Sequence, residues 1–184
     1  VARSLDLCTG SGVHALLGSR YADTSVGTDI SPRAIAFAEW NRRLNGIDRV
    51  QFHVSDTFSA LPGARFDRIT ANPPYQPDSQ HAAGENWWGA GPRGTAVIDR
   101  IVAGLPEHLE PDGELQMIGR FLSWREVGFV DHVRHVLGPA AADFSIALDV
   151  EHEPLSQIAA MYPSERLTGL VRSEYGVVTI TRLR

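Results

Sequence analysis

Two stretches of this 184-residue chain carry residue types and spacings that chemistry can use. In the first, Thr9-Gly10-Ser11-Gly12 is completed by Ala15 into a G-x-G-x-x-A pattern, a tight turn where backbone can approach a ligand closely. Asp29 stands about twenty residues beyond it, where a carboxylate can accept both hydroxyls of a ribose. In the second, Asn72-Pro73-Pro74-Tyr75 has two prolines that leave the backbone few alternatives to an extended turn. Such a turn can aim the Asn72 side-chain oxygen and the Pro73 carbonyl at one point. An N–H₂ group placed there donates both hydrogens and turns its lone pair the other way, while Tyr75 offers a flat face to a planar acceptor. That is catalysis by alignment for an in-line displacement at carbon, and it needs no strong base.

The carboxylates around the glycine turn narrow the choice of cofactor. Asp6 precedes the turn and Asp56 lies further along the chain. A dinucleotide would bring a pyrophosphate to the turn, where a carboxylate repels it. S-adenosylmethionine carries a sulfonium and an ammonium and no phosphate, so an acidic rim suits it. Asp56 could then accept the adenine amino group. Taken singly, an ordinary glycine turn, loop-capping aspartates and a rigid strand-ending turn explain the same residues; their joint placement favours a site.

The elements that must position these residues alternate along the chain. Ser4–Thr9, Ser25–Ile30, Val50–Ser55, Phe66–Ala71, Glu114–Arg120, Phe144–Val150 and Val177–Thr181 read as strands. Val13–Tyr21, the segment opened by Ser31-Pro32, Thr95–Leu109 and Trp124–Leu137 read as helices. Ser31 suits the capping position and Pro32 the first helical position, and Asn45-Gly46 ends that helix. Thr95–Leu109 is expected to stop at Pro111-Asp112-Gly113, and Val127, Val130, Val133 and Val136 mark the last helix. Gln76–Pro92 reads as a long loop carrying Trp87 and Trp88, expected to close over the acceptor or to pack on the sheet edge. Glu153–Arg172 yields no assignment. The alternation predicts an α/β fold: a doubly wound, mostly parallel seven-stranded sheet, Rossmann-like, with an antiparallel edge strand. Its strand ends would gather the motifs around one crevice.

Leu5-Asp6-Leu7-Cys8-Thr9-Gly10-Ser11-Gly12, Thr28-Asp29-Ile30-Ser31-Pro32, Ser55-Asp56-Thr57-Phe58 and Asn72-Pro73-Pro74-Tyr75 together resemble, in order and spacing, the protein-(glutamine-N5) methyltransferases that modify release factors and a ribosomal protein. The wider group with an Asn-Pro-Pro-Tyr motif also includes adenine-N6 methyltransferases. The resemblance implies a class I, S-adenosylmethionine-dependent N-methyltransferase. Residue types and resemblance together nominate Asp6, Thr9, Gly10, Ser11, Gly12, Asp29, Ile30, Asp56, Thr57 and Asn72 for the cofactor. Asn72, Pro73, Pro74 and Tyr75 are the candidates for catalysis. After Tyr75 the likeness thins: Glu85-Asn86-Trp87-Trp88-Gly89-Ala90-Gly91-Pro92-Arg93-Gly94 replaces the family's usual segment, so a protein glutamine, an adenine and a small-molecule amine all stand as acceptors.

Bulk properties set outer limits. Residues 1–184 are expected to form one catalytic domain, with a substrate-recognition region upstream of Val1. A net charge of −5 tilts against a nucleic-acid partner. The single Cys8 excludes an intrachain disulfide and a cysteine zinc cluster, and with the absence of a long apolar run it suggests a cytoplasmic protein without membrane contact. His132 and His135 share metal-ligand spacing but read as a solvated helix face, so no metal is expected. A nicotinamide-dependent oxidoreductase and a non-catalytic cofactor-binding scaffold are the competing classes. A thermal-shift screen of the two cofactors separates the first of these.

Overall fold

The computed structural model describes residues 1–77, 90–125, 127–162 and 167–184. Strands β1 (Arg3–Leu7), β2 (Thr24–Asp29), β3 (Val50–Val54) and β4 (Phe66–Ala71) alternate with helices α1 (Val13–Gly18) and α2 (Pro32–Leu44). Then come α3 (Ala96–His108), β5 (Leu109–Trp124), α4 (Phe129–Leu137), β6 (Phe144–Glu153), α5 (Leu155–Met161) and β7 (Leu170–Arg182). They build one seven-stranded sheet in the order β3-β2-β1-β4-β5-β7-β6. The first five strands in that order are parallel neighbours, and β7 runs antiparallel to both β5 and β6. The expected doubly wound sheet with an antiparallel edge is present. The chain builds outward from β1 through β2 to β3, then returns to place β4 on the other flank of β1. That reversal is the crevice-forming switch point of open α/β sheets.

Local sequence accounts for the parallel half. Leu5, Leu7, Phe66, Ile69 and Ala71 are all at most 1% exposed, as strands covered on both faces require. The Ser31 hydroxyl accepts the Ala34 N–H and Pro32 takes the first helical position of α2, while Gly46 sits at φ +62° beyond its end. The cap is worth about 1 kcal/mol.

Several boundaries differ from expectation. β5 begins at Leu109, directly after α3, and runs to Trp124. Pro111-Asp112-Gly113 therefore forms a bulge within a strand: Leu109 pairs with Phe66 and Glu114 with Arg68, with Asp112 at φ +62° between. α4 starts at Phe129 because Trp124 ends β5 and Val127 bridges back to it. Its core face is Phe129, Val133 and Leu137, spaced by four, and Val127 is exposed. Phe129 packs on Phe121 with ring centroids 4.5 Å apart, and burying each such ring contributes roughly 1.5–3 kcal/mol. The unassigned stretch supplies α5 and the first residues of a β7 much longer than expected. Trp87, Trp88 and their proposed closure lie outside the described residues.

Candidate active site

β1 and β4 both end at one cleft of about 730 Å³, lined by the turn after β1, the end of β2, the first turns of α2, the turn after β3 and the segment after β4. Of the residues singled out from sequence, Gly10, Ser11, Asp29, Ile30, Asp56, Thr57, Asn72, Pro73, Pro74 and Tyr75 line it; Asp6, Thr9 and Gly12 do not.

The glycine turn is built from both sides. Gly10, at φ +54°, has open space where a Cβ would stand, and its N–H donates to Asp29 Oδ2 at 2.9 Å. Gly12, at φ +86°, instead faces inward, where a Cβ would stand 2.8 Å from the Phe52 ring and 3.0 Å from Ala38. The first glycine opens the site and the second lets α2 and β3 pack beneath it. Asn41, on α2, donates to the Ser11 carbonyl at 2.9 Å and pins the turn from outside.

Asp6 works behind the wall. It is 1% exposed, and its carboxylate accepts from Thr9 Oγ1 at 2.5 Å and Thr70 Oγ1 at 2.9 Å, with His14 Nδ1 at 3.4 Å. Thr9 is buried on it. Asp6 and Thr9 thus tie β1, β4 and α1 together below the turn. The imidazole of His14 is more basic than usual because it is hydrogen-bonded to Asp6.

Asp29 is the best-prepared acceptor in the cleft. Gly10 N–H and Ser31 N–H each donate to one of its oxygens, the latter to Oδ1 at 2.9 Å. Each oxygen retains further acceptor capacity, and Asp29 lines the cleft. The turn after β3 is fixed by Ser55 Oγ and Thr28 Oγ1, which both donate to the Thr57 carbonyl, at 2.9 and 3.2 Å, with Thr57 itself at φ +48°. Asp56 is half-exposed and paired with Arg100 at 3.2 Å. An adenine amino group would share it with that guanidinium.

The cleft lining carries Asp29 and Asp56 together with Arg33 and Arg100. Burial, then Asp29, Asp6 and Asp56, push the Cys8 thiol up to about 12 against a smaller opposing effect of Arg100. Cys8 stays a neutral thiol and is no nucleophile. A cationic group is favoured next to it.

At the other end, the Asn72 side chain is exposed and makes no hydrogen bond among the described residues, while Pro73 is buried. The Tyr75 ring rests on Gly119 of β5, where a Cβ would stand 3.1 Å from it. It meets Tyr175 edge-on at 6.5 Å, and its phenol is less acidic than usual, chiefly through burial. Sequence reasoning missed Ala34 and Phe37, which follow Ile30 at helical spacing and extend an apolar flank along the cleft. Phe37 is 56% exposed, a large apolar residue left open beside a site; the period from Ile30 was the available signal. Arg100 carried none, because it reaches Asp56 only through the packing of α3.

His132 is not a free helix-face residue: its Nε2 lies 2.6 Å from Asp99 of α3. No cluster of three His, Cys, Asp or Glu side chains suited to a metal occurs among the described residues. No helix among them is long and apolar enough to cross a membrane.

Comparison with known proteins agrees with this architecture. A ribosomal protein uL3 glutamine methyltransferase of Bradyrhizobium diazoefficiens is 38% identical over 126 residues, covering 62% of this chain and 40% of that protein. One of Xylella fastidiosa is 32% identical over 178 residues, covering 87% and 57%. The chain thus spans about half the length of the curated relatives it matches. SMU.1697c of Streptococcus mutans, solved in complex with SAH, superposes with a TM-score of 0.57 at 17% identity, covering all of this chain and 89% of that one. The family model described as methyltransferase small domain matches residues 1–136, which hold the glycine turn, Asp6, Asp29, Asp56 and the Asn-Pro-Pro-Tyr segment. The chain belongs to the methyltransferase small domain family.

Proposed function

We propose that this domain transfers a methyl group from S-adenosylmethionine to the side-chain amide nitrogen of a glutamine in a protein, working in the cytoplasm. The observation that carries the reading is that Asn72-Pro73-Pro74-Tyr75 and the braced Asp29 carboxylate line one cleft. The names of the relatives, which are glutamine methyltransferases acting on ribosomal protein uL3, support the choice of acceptor. The SAH bound to the structural neighbour supports the choice of cofactor.

The donor set fits S-adenosylmethionine. Asp29 keeps acceptor capacity for ribose hydroxyls, Ile30 and Phe37 offer apolar surface for a base, and Asp56 and Thr57 stand at that end. Gly10, Ser11 and Asn72 border the cleft beside Cys8, where the nearby carboxylates suit an ammonium or sulfonium. Asp6, Thr9 and Gly12 hold this shape from behind. When bound, the cofactor supplies an electrophilic methyl group. The chain's own residues orient the acceptor: Asn72 Oδ1 and the Pro73 carbonyl accept its two N–H bonds, Pro74 fixes the turn, and Tyr75 supports the amide plane. Orientation of this kind can supply several kcal/mol of the barrier. Among the described residues lining the cleft no side chain is arranged as a strong base, and the proton leaves after transfer to solvent.

The test is methyl transfer from labelled S-adenosylmethionine with ribosomal protein uL3, release factor, adenine-containing nucleic acid and small amines offered in parallel. Label on a glutamine of either protein supports the proposal. Label on adenine or on a small amine replaces the acceptor but keeps the chemistry. No thermal stabilisation by S-adenosylhomocysteine would overturn the cofactor assignment.

A further inference from the structure

Three strands do not stop at the cleft. β5 leaves β4 at the Met117–Ala71 pair and continues to Trp124 paired only with β7, which β6 accompanies as far as Glu153. This antiparallel extension rises past the ends of the parallel strands, directly beside Tyr75. Its register places Arg120 opposite Tyr175, Leu122 opposite Ser173, and Ser173 opposite Glu153. Directly paired residues of antiparallel strands project to one face, so Arg120, Ser173, Tyr175 and Glu153 share a face of the extension.

On that face Arg120 is held in place. Its Nε and Nη2 donate to the two oxygens of Glu153 at 2.7 and 3.0 Å, a bidentate pair whose side chains are 10% and 13% exposed. Ser173 Oγ donates to Glu153 Oε2 at 2.8 Å and holds that carboxylate in turn. So held, Arg120 lies over the Tyr75 ring, 5.8 Å from its centroid. A buried ion pair is a poor stabiliser relative to apolar packing and is better suited to fixing one geometry. The object fixed here is the aromatic ring of the acceptor motif.

We propose that Arg120, locked by Glu153, is the positioning residue for Tyr75, setting the plane on which the acceptor amide is presented. This rests on the methyl-transfer reading above for its consequence but not for its geometry. The guanidinium lies over the ring and Gly119 stands at its edge, so these two contacts hold the ring where it lines the cleft. A planar, uncharged acceptor is the class such a surface takes, because Glu153 already neutralises the cation.

The experiment has two readouts. Tyrosine ring carbons are labelled, the Tyr75 signal is assigned with Tyr75→Phe, and spectra are compared for Arg120→Met, Arg120→Lys and Glu153→Gln. In Arg120→Met the Tyr75 signal is expected to shift and broaden while S-adenosylhomocysteine affinity stays within about twofold. Turnover on uL3 or release factor falls about tenfold or more, as misplacement of a reacting group predicts, and Arg120→Lys restores part of both. A folded Arg120→Met protein with an unchanged Tyr75 signal overturns the proposal, as does a turnover loss matched by an equal loss of cofactor affinity. Should Arg120→Met fail to fold, Glu153→Gln, which keeps the side-chain volume, is judged by the same two outcomes. If the wild-type domain methylates neither protein, the functional reading falls and the Tyr75 signal alone decides the positioning claim.

Discussion

The two flanks of β4 are built differently. On one side β1, β2 and β3 are five or six residues long, run parallel, and end together at the cleft. On the other, β5, β7 and β6 have 16, 13 and 10 residues, pair antiparallel and overshoot it. The cofactor flank positions its groups mostly through backbone: Asp29 is set by two N–H donors, and the Thr57 carbonyl gathers two hydroxyls. The acceptor flank positions Tyr75 through side chains from β5, β6 and β7. Short strands that end at turns place backbone donors at a ligand, whereas a long twisted ribbon offers a side-chain surface. The first arrangement suits a constant cofactor and the second a particular acceptor.

If that division is real, single substitutions should strike one parameter at a time. The largest effect is expected at the junction itself. Asn72→Ala should lower turnover about 100-fold or more, the scale of a lost positioning contact, with the melting temperature nearly unchanged. Single-turnover methyl transfer measures it, and near-normal turnover would remove Asn72 from the mechanism. Next comes Asp29→Ala, which takes the charged acceptor from the cofactor flank. Hydrogen bonds to charged groups are worth about 1.5–3 kcal/mol, so calorimetry with S-adenosylhomocysteine should show at least about tenfold weaker binding. Unchanged affinity would mean the ribose lies elsewhere.

A third substitution separates the two glycines of the turn. Both have positive φ, which costs an alanine roughly 1–2 kcal/mol, but only Gly12 adds a clash with Phe52 and Ala38. Gly12→Ala should therefore lower the denaturation midpoint clearly more than Gly10→Ala. Equal losses would show that α2 yields and that Gly12 is not a packing position.

The smallest effect is in the pH dependence of stability, where the flanks should differ in sign. His14 has its pKa raised by Asp6, so its contribution is complete below the unfolded value near 6.5 and disappears as pH rises through the folded one. Glu153 is held below the ordinary carboxylate value, chiefly by its hydrogen bonds from Arg120. Its contribution is complete above the unfolded value near 4.5 and disappears as pH falls through the folded one. His14→Gln should flatten the alkaline limb of the stability profile and Glu153→Gln the acid limb. The His14 effect should be at most about 1 kcal/mol, since the ring is 45% exposed and screened. Flattening of the opposite limb by either variant would contradict the assignment.

The sequence alone determined the sheet, its winding, the cap of α2 and most of the cofactor flank, because these depend on interactions within a few residues or on strand–turn–helix periodicity. Gly10, Asp29, Asn72 and Tyr75 were legible for that reason: each sits next to a strand end that its neighbours announce. Tertiary structure decided what needed contacts across the chain. It placed Asp6, Thr9 and Gly12 behind the cleft lining, where Thr9 bonds Asp6 and Gly12 packs on Phe52 and Ala38. It extended β5 through Pro111-Asp112-Gly113, whose composition spells a turn, because pairing with β4 before and after it, Leu109 with Phe66 and Glu114 with Arg68, outweighs the local preference. And it brought Arg120, Glu153, Ser173 and Tyr175 onto one face beside Tyr75, since cross-strand register is set by which residues meet through hydrogen bonding and burial, and no spacing within a single strand encodes it.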